Sequence, residues 1–425
     1  MTLLLPDNAW AQSRLDGPTV AGVPVDFILF GLTLIGVALF HNRVLHVALG
    51  GLAVIVLYNV SVTGFKHGAG FQGLAAHFGH EWVILTNLFC LLVGFALLAD
   101  QFERSHVPEW IPRLLPQGWK GAFILLVLIF VLSGFLDNIA AAIIGGTVAM
   151  SIYKRRVHIG YVAAIVAASN AGGAGSVVGD TTTTMMWIAG VNPLDVVPAY
   201  VAAITALFVF GIPASMQQGK HAEMLTAGSR TLHIDKARVA IVFIILIAAV
   251  VTNVVINIKF AVLADHFPFI GVAVWVALLA TAPWRAPNWK LIPETARGSL
   301  FLLALVTCAS LMPVEKLPPA SWSSSLILGF ISSIFDNIPL TALAIKQGGY
   351  DWGMLAYSVG FGGSMIWFGS SAGVAISNII PEAKSVGAWL KNGWHVALGY
   401  VVGFVVMLVL MGWHPTSLGA VVPTP

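Results

Sequence analysis

Twelve stretches of the chain are apolar enough to enter or cross a lipid bilayer, near residues 23–40, 44–62, 82–99, 121–153, 157–189, 199–216, 239–257, 268–284, 298–313, 321–346, 352–379 and 394–412. About 20 such residues cover the hydrocarbon core of a membrane as a helix. Only helices and closed barrels can span that core, because every backbone polar group must be satisfied internally. The runs are continuously apolar rather than alternating, which excludes a barrel. Composition points the same way, with 58% of residues among AVILMFWYC and 9% charged. A soluble domain carries about 25% charged residues, so this chain could not cover its own surface with polar groups. Soluble enzyme, nucleic-acid binder, disordered chain and secreted disulfide scaffold are excluded. The net charge of +3 argues for no polyanionic partner. Cys90 and Cys308 lie inside apolar runs without metal-ligand spacing and read as inert core residues. Ala9-Trp10-Ala11 fits a signal-peptidase pattern, but the apolar stretch before it, Leu3 to Leu5, is too short for a signal core.

Two of the stretches are interrupted at their middle, one by Asp137-Asn138 and the other by Asp336-Asn337-Ile338-Pro339. A charge at mid-bilayer is costly, and proline removes a backbone donor. Both stretches therefore read as re-entrant hairpins whose tips are buried in protein or line a wet cavity. Ten full spans remain. Arg43, Arg104, Arg113, Lys120, Lys154, Arg155, Arg156, Lys220, Arg230, Lys236, Arg238, Arg285, Lys290, Arg297, Lys384 and Lys391 then share one side, 16 of the 21 basic residues. Arg14, Lys66, Lys259, Lys316 and Lys346 take the other. The positive-inside rule makes the richer side cytoplasmic and both termini non-cytoplasmic. A hairpin that crossed fully would invert every later loop and erase this asymmetry.

The chain also repeats itself. Leu136-Asp137-Asn138-Ile139 matches Phe335-Asp336-Asn337-Ile338, and Gly172-Gly173 with Gly179-Asp180-Thr181 aligns with Gly362-Gly363 and Gly369-Ser370-Ser371. Each half holds three spans, a hairpin, a glycine-interrupted span and a final span. Five full spans per half is an odd number, so the second half is inverted. Inverted repeats with discontinuous helices meeting at the midplane are the sequence signature of secondary transporters.

Three constellations could carry chemistry. At the hairpin tips, Asp137, Asn138, Asp336 and Asn337 offer oxygens suited to a hard cation such as Na⁺; each could also simply cap the second half-helix. In the run from Ser169 through Asn170, Gly172, Gly173, Gly175 and Gly179 to Asp180, Thr181 and Thr182, four glycines lie within eight residues. Each is unfavourable in a helix, so an unwound stretch is expected near the span's centre, with Asp180 and the threonine hydroxyls beside it. Close packing at Gly175 and Gly179, or threonines bonding back to the preceding turn, are the alternatives. The run is no nucleotide loop, for it lacks the G-x-G-x-x-G spacing and a preceding strand. The third constellation, Gly360 to Gly373, includes Gly362, Gly363, Gly369, Ser370 and Ser371, and puts Ser370 where the first repeat has Asp180. His67, His77 and His80 share one non-cytoplasmic loop without diagnostic metal spacing, and His46 and His395 sit near span starts. Asp26, Glu81 and Asp100 read as solvated span ends.

Leu136-Asp137-Asn138-Ile139, Gly179-Asp180-Thr181-Thr182-Thr183-Thr184-Met185-Met186-Trp187-Ile188, Phe335-Asp336-Asn337-Ile338-Pro339-Leu340 and Gly360-Phe361-Gly362-Gly363-Ser364-Met365-Ile366-Trp367-Phe368-Gly369-Ser370-Ser371 resemble the NhaD-type sodium/proton antiporters of the ion transporter superfamily. The likeness extends over about residues 20–412, and the chain departs from it at Gly175-Ser176-Val177-Val178, where those antiporters carry a Trp and a Pro. The resemblance implies a homodimer and an elevator, in which a transport domain with the hairpins slides along a scaffold.

The expected fold is therefore all-α and polytopic: ten transmembrane helices plus two re-entrant hairpins in an inverted repeat, with an elevator-type ion transporter architecture. Residues 1–120 would be scaffold and 121–218 the first half of the transport domain. A cytoplasmic linker (219–236), scaffold again (237–320) and the second transport half (321–425) would follow. The expected function is exchange of Na⁺ or Li⁺ for H⁺ across a bacterial cytoplasmic (inner) membrane, without enzyme activity, cofactor or nucleic-acid partner. Asp137, Asp180 and Asp336 would hold Na⁺ or share protons in competition with it. Asn138, Asn170, Thr181, Thr182, Asn337, Ser370 and Ser371 would be neutral ligands, and Gly172, Gly173, Gly175, Gly179, Gly362, Gly363 and Gly369 would let the backbone unwind. The rival reading is a sodium- or proton-coupled carrier of citrate, a dicarboxylate or an oxyanion. An intramembrane aspartyl protease is disfavoured, since Val177 breaks its Gly-x-Gly-Asp pattern.

Overall fold

A computed structural model describes residues 17–40, 43–66, 68–107, 115–224, 234–260, 263 and 266–416. Arg14, Arg113, Arg230, His67 and the Ala9-Trp10-Ala11 motif lie outside the described residues. Among the described residues the regular structure is helical, with short 3-10 and π turns and one strand pair, β1 (Thr19–Val20) and β2 (Val23–Pro24), joined through Ala21 and Gly22 at positive φ. Among the described residues, five helical stretches are long and apolar enough to cross a membrane: Val44–Thr63, Gly70–Glu103, Pro193–His221, Trp289–Ser310 and Val386–Met411. This is an all-α membrane protein in its main architecture.

In the first half, α1 (Val25–Leu39) packs on α2 (Val44–Tyr58), and α3 runs from Gly70 to Glu103. The expected hairpin comprises α4 (Trp119–Ser133) and α5 (Asn138–Ile152), which pack against each other. Each arm has 15 residues, about 22 Å at 1.5 Å per residue and too short to cross alone. The interrupted span is α6 (Ile159–Gly173) and α7 (Thr181–Ile188), followed by α8 (Ala199–His221). The second half begins with α9 (Lys236–Lys259), α10 (Phe269–Thr281) and α11 (Ile292–Ser310). Then come α12 (Trp322–Ser332), α13 (Asn337–Gln347), α14 (Trp352–Gly362), α15 (Ser371–Ile379) and α16 (Val386–Met411). Every break expected near Asp137, Asp180, Asp336 and Ser370 is present, with those four residues as helix N-caps.

Two apolar cores hold the helices. The larger joins α4–α8 with α13–α16, and α9 and α10 pack into its flank; the smaller lies among α1, α2, α3 and α11. α6 is buried at every position after Ile159 and α14 at every position, so both halves of the molecule are built around a short, enclosed helix. Cys308 is buried, Cys90 is half-buried, and both are free thiols.

Three expectations need correction. His77 and His80 are not in a loop, because α3 begins at Gly70 and carries both. The polar residues lower local hydropathy, but tertiary contacts hold the turn: His77 is buried and its Nε2 lies 3.0 Å from Ser310 Oγ. Asp26 is buried in the first turn of α1, where a helix N-terminus favours a carboxylate. Glu81 is half-buried within α3, and Asp100 is paired with Arg104 at 2.9 Å. At the same end of α3, Arg285 donates to Asp235 Oδ2 at 2.7 Å and holds that carboxyl below the usual carboxylate range. Arg238 bonds Gln101, whose amide donates to the Arg285 carbonyl at 2.9 Å. These bonds tie the N-terminus of α9 to the end of α3.

Candidate functional site

The two hairpin tips have the same backbone geometry. Asp137 caps α5 at φ −51°, ψ 141°, and Asp336 caps α13 at φ −52°, ψ 141°. Asp137 Oδ2 accepts from the Ile139 amide at 3.2 Å, and Asp336 Oδ1 from the Ile338 amide at 3.0 Å. The hydroxyl of Ser371, the repeat counterpart of Thr181, donates to Asp336 at 3.1 Å. The interrupted spans match in the same way. Asp180 stands at φ −142°, ψ 140° and Ser370 at φ −141°, ψ 153°. Ser133 Oγ donates to the Ser169 carbonyl at 2.5 Å, and Ser332 Oγ to the Val359 carbonyl at 2.8 Å. These bonds clamp each broken span to its hairpin.

Between the four breaks lies a buried polar cluster. Asp180 is 1% exposed. Its Oδ1 accepts from Asn138 Nδ2 at 2.9 Å, and its Oδ2 accepts from the Thr182 hydroxyl. Thr182 in turn accepts from Asn337 Nδ2 at 3.1 Å. Asn138 also donates to Asn170 Oδ1 at 3.0 Å, while Asn170 Nδ2 donates to Ser364 Oγ at 2.9 Å and to Ser370 Oγ at 3.1 Å. The sequence's neutral candidates Asn138, Asn170, Thr182, Asn337 and Ser370 are thus gathered around one carboxylate, with groups from both halves. Its hydrogen-bond donors are all neutral. A buried carboxylate without a cationic partner is costly; a proton or a bound cation removes that cost.

The three carboxylates are not equivalent. Asp180 sits in the cluster, whereas Asp137 and Asp336 sit at the tips as half-buried caps. Among the described residues, no three His, Cys, Asp or Glu side chains are gathered closely enough to hold a metal ion. The threonines divide too. Thr183 and Thr184 bond back to the carbonyls of Ser176, Val177 and Asp180, satisfying the unwound backbone, whereas Thr182 serves the Asp180 carboxylate.

Gly175, Gly179, Gly363 and Gly369 lie in the unwound stretches. None of Gly172, Gly173, Gly175, Gly179, Gly362, Gly363 or Gly369 has positive φ, and Gly172, Gly173 and Gly362 are still helical. They allow close approach instead. A methyl carbon on Gly172 would fall 2.0 Å from the Phe130 carbonyl oxygen, and one on Gly362 would fall 2.2 Å from that of Gly329. Close packing is met at Gly175 and Gly179 as well, where a methyl carbon would fall 2.5 Å from the Tyr200 ring and 2.0 Å from the Ser133 carbonyl oxygen. Ser133 and Ser332 escaped the sequence reading, for an isolated serine in an apolar helix carries no pattern.

A cavity of about 420 Å³ reaches the cluster. Asp137, Asn138, Asp180, Thr181, Asn337 and Ser371 are among its lining residues. Residues of α3 from Leu88 to Glu103 and of α11 also line it, Asp100 and the exposed Glu103 among them.

Because the tips are caps as well as carboxylates, Asp137→Asn and Asp336→Asn should each fold normally, asparagine capping about as well as aspartate. Each should still lower cation-driven proton exchange, measured in liposomes beside a thermal-unfolding control. Wild-type exchange in both variants would leave them as caps only.

The chain is similar to the Na⁺/H⁺ antiporter NhaD of Vibrio cholerae, 26% identical over 387 residues, covering 76% of this chain and 78% of that protein. It is also similar to sodium/proton antiporter 1 of Arabidopsis thaliana, 25% identical over 373 residues, covering 77% of this chain. The match spans 61% of the Arabidopsis protein's length. A shorter match of 91 residues to NhaD of Halomonas elongata reaches 31% identity, over 20% of this chain and 18% of that protein. No family model matches. With these relatives beside the Gly179-Asp180-Thr181-Thr182 and Phe335-Asp336-Asn337-Ile338 motifs, the chain is a distant relative of the NhaD-type sodium/proton antiporters.

Proposed function

We propose that this protein exchanges Na⁺ or Li⁺ for H⁺ across a bacterial cytoplasmic membrane. The observation that carries the reading is Asp180, a buried carboxylate held by the neutral donors Asn138 and Thr182, with Asn337 of the second half bonded to Thr182, and lining a cavity. Proton and cation neutralise the same group and so exclude each other, which is the condition for antiport. Asn138, Thr182 and the nearby hydroxyls supply oxygens to a partly dehydrated cation, while Asp137 and Asp336 add negative potential from the tips. Citrate or an oxyanion would meet three carboxylates here and be repelled.

The movement follows from the same arrangement. Residues 121–218 and 321–425 form a transport domain that slides along a scaffold of 1–120 and 237–320, with 219–236 as linker, in a homodimer. Asp100 and Glu103, beside Arg104 on the arginine- and lysine-rich side, line the same cavity. With that side cytoplasmic, the site is open inward and both termini lie outside. Lys154 then faces the cytoplasm and Lys346 the periplasm. Membrane-impermeant thiol reagents added to whole cells should label Lys346→Cys and spare Lys154→Cys; labelling of both from outside contradicts the inverted repeat.

Competition at one carboxylate has its own readout. Adding NaCl to purified protein in weakly buffered detergent solution should release protons, while choline chloride releases none. Asp180→Asn should eliminate the release. Sodium binding without proton release would mean that the two ligands occupy different groups.

A further inference from the structure

The repeats superpose through Gly172 and Gly362, which makes Asn170 the counterpart of Gly360 and Asp180 the counterpart of Ser370. The contact of Asn170 with Ser370 therefore has a mirror image, the contact of Gly360 with Asp180. In the first, the Asn170 amide donates to Ser370 Oγ at 3.1 Å. In the second, a methyl carbon placed on Gly360 would stand 3.0 Å from Asp180 Oδ2 and 3.9 Å from Thr182 Oγ1. Sizes are exchanged crosswise: a long amide meets a short hydroxyl, and a bare α-carbon meets the longer carboxylate.

The geometry points to Gly360 as a positioning residue for ion exchange at Asp180, and this rests on the antiport reading above. Glycine is disfavoured inside a helix, yet Gly360 lies in α14 at ordinary helical φ. α14 is buried at every position, so its backbone cannot yield to a new side chain. The carboxylate must yield instead. Its Oδ1 is held by Asn138 and its Oδ2 by Thr182, so a turn of the carboxylate away from α14 disturbs one bond or both. The missing side chain lets Oδ2 lie against the second repeat with its Thr182 bond intact. It also explains how a nearly symmetric scaffold carries one titrating carboxylate rather than two.

Gly360→Ala is the direct test, in liposomes with Na⁺-driven proton exchange followed over Na⁺ concentration and pH. Misplacing one charge-assisted hydrogen bond should raise the half-saturating Na⁺ concentration about tenfold. The pH profile should be displaced, and the maximal rate at saturating Na⁺ kept within about twofold. Gly360→Asn combined with Asp180→Ser recreates the Asn170–Ser370 contact in mirror image and should fold but exchange nothing. If wild-type protein itself fails to exchange Na⁺ for H⁺, the antiport reading falls, and Gly360 is judged by thermal stability instead. Gly360→Ala should raise Tm in an Asp180→Ser background, where alanine replaces helical glycine unopposed, and should not raise it when Asp180 is present. An equal Tm change in both backgrounds overturns the inference. So does an unchanged Na⁺ dependence and pH profile of Gly360→Ala beside an active wild type.

Discussion

Asp180→Asn should abolish Na⁺-coupled proton movement and leave a folded protein. An asparagine at this position keeps the shape of the side chain, and one oxygen remains to accept from Asn138 or Thr182. The lost bond is offset by no longer burying a charge with no cationic partner, so stability should change by less than about 1 kcal/mol or improve. Exchange behaves differently, because neither proton uptake nor charge neutralisation by Na⁺ survives. Asp180→Glu should retain partial exchange with an altered pH profile, since charge is kept and reach is changed. Ser370→Ala should mainly weaken apparent cation affinity, for Ser370 only receives the Asn170 amide and caps the Gly373 amide at 3.2 Å. Exchange at the wild-type rate in Asp180→Asn would make Asp180 structural and favour the coupled anion carrier.

Gly172→Ala is expected to have the largest effect on folding. The new methyl carbon would stand 2.0 Å from the Phe130 carbonyl oxygen and 2.8 Å from its Cα. These are backbone atoms of a packed helix rather than the end of a flexible side chain. Overpacking of this kind costs on the order of 3 kcal/mol or more, a large share of a typical native stability. Little monodisperse protein should be recovered by size-exclusion chromatography, and Gly362→Ala should behave likewise. Gly31→Ala is the control: no atom within 4 Å opposes it, and helix propensity favours it. A Tm for Gly172→Ala equal to that of wild type would remove close approach as the reason for the paired glycines.

The sequence revealed the breaks because their causes are local. Asp137-Asn138 and Asp336-Asn337 cannot continue an apolar helix through mid-bilayer, and each is a cap in the structure. The repeat made Ser371 the counterpart of Thr181; Ser371 donates to its tip carboxylate, Asp336, and Thr181 lines one cavity with Asp137. Tertiary causes were not legible. Gly73 lies against the Gly68 carbonyl, and His77 meets Ser310, 233 positions along the chain, so α3 starts well before its apolar run. Ser364 acquires a role only where Asn170 reaches it from the other repeat. The glycines were visible as a pattern, but whether they unwind a helix or admit a neighbouring backbone depends on what lies opposite.

The central claim is that one buried carboxylate cluster exchanges Na⁺ for H⁺, and purified protein in sealed liposomes tests it most directly. With an imposed pH gradient and a lumenal pH dye, Na⁺, Li⁺, K⁺ and citrate are added in turn. Dissipation of the gradient by Na⁺ or Li⁺, absent with citrate and absent for Asp180→Asn, is the predicted result. Proton movement driven by citrate, or by Na⁺ equally well in Asp180→Asn, would contradict the account.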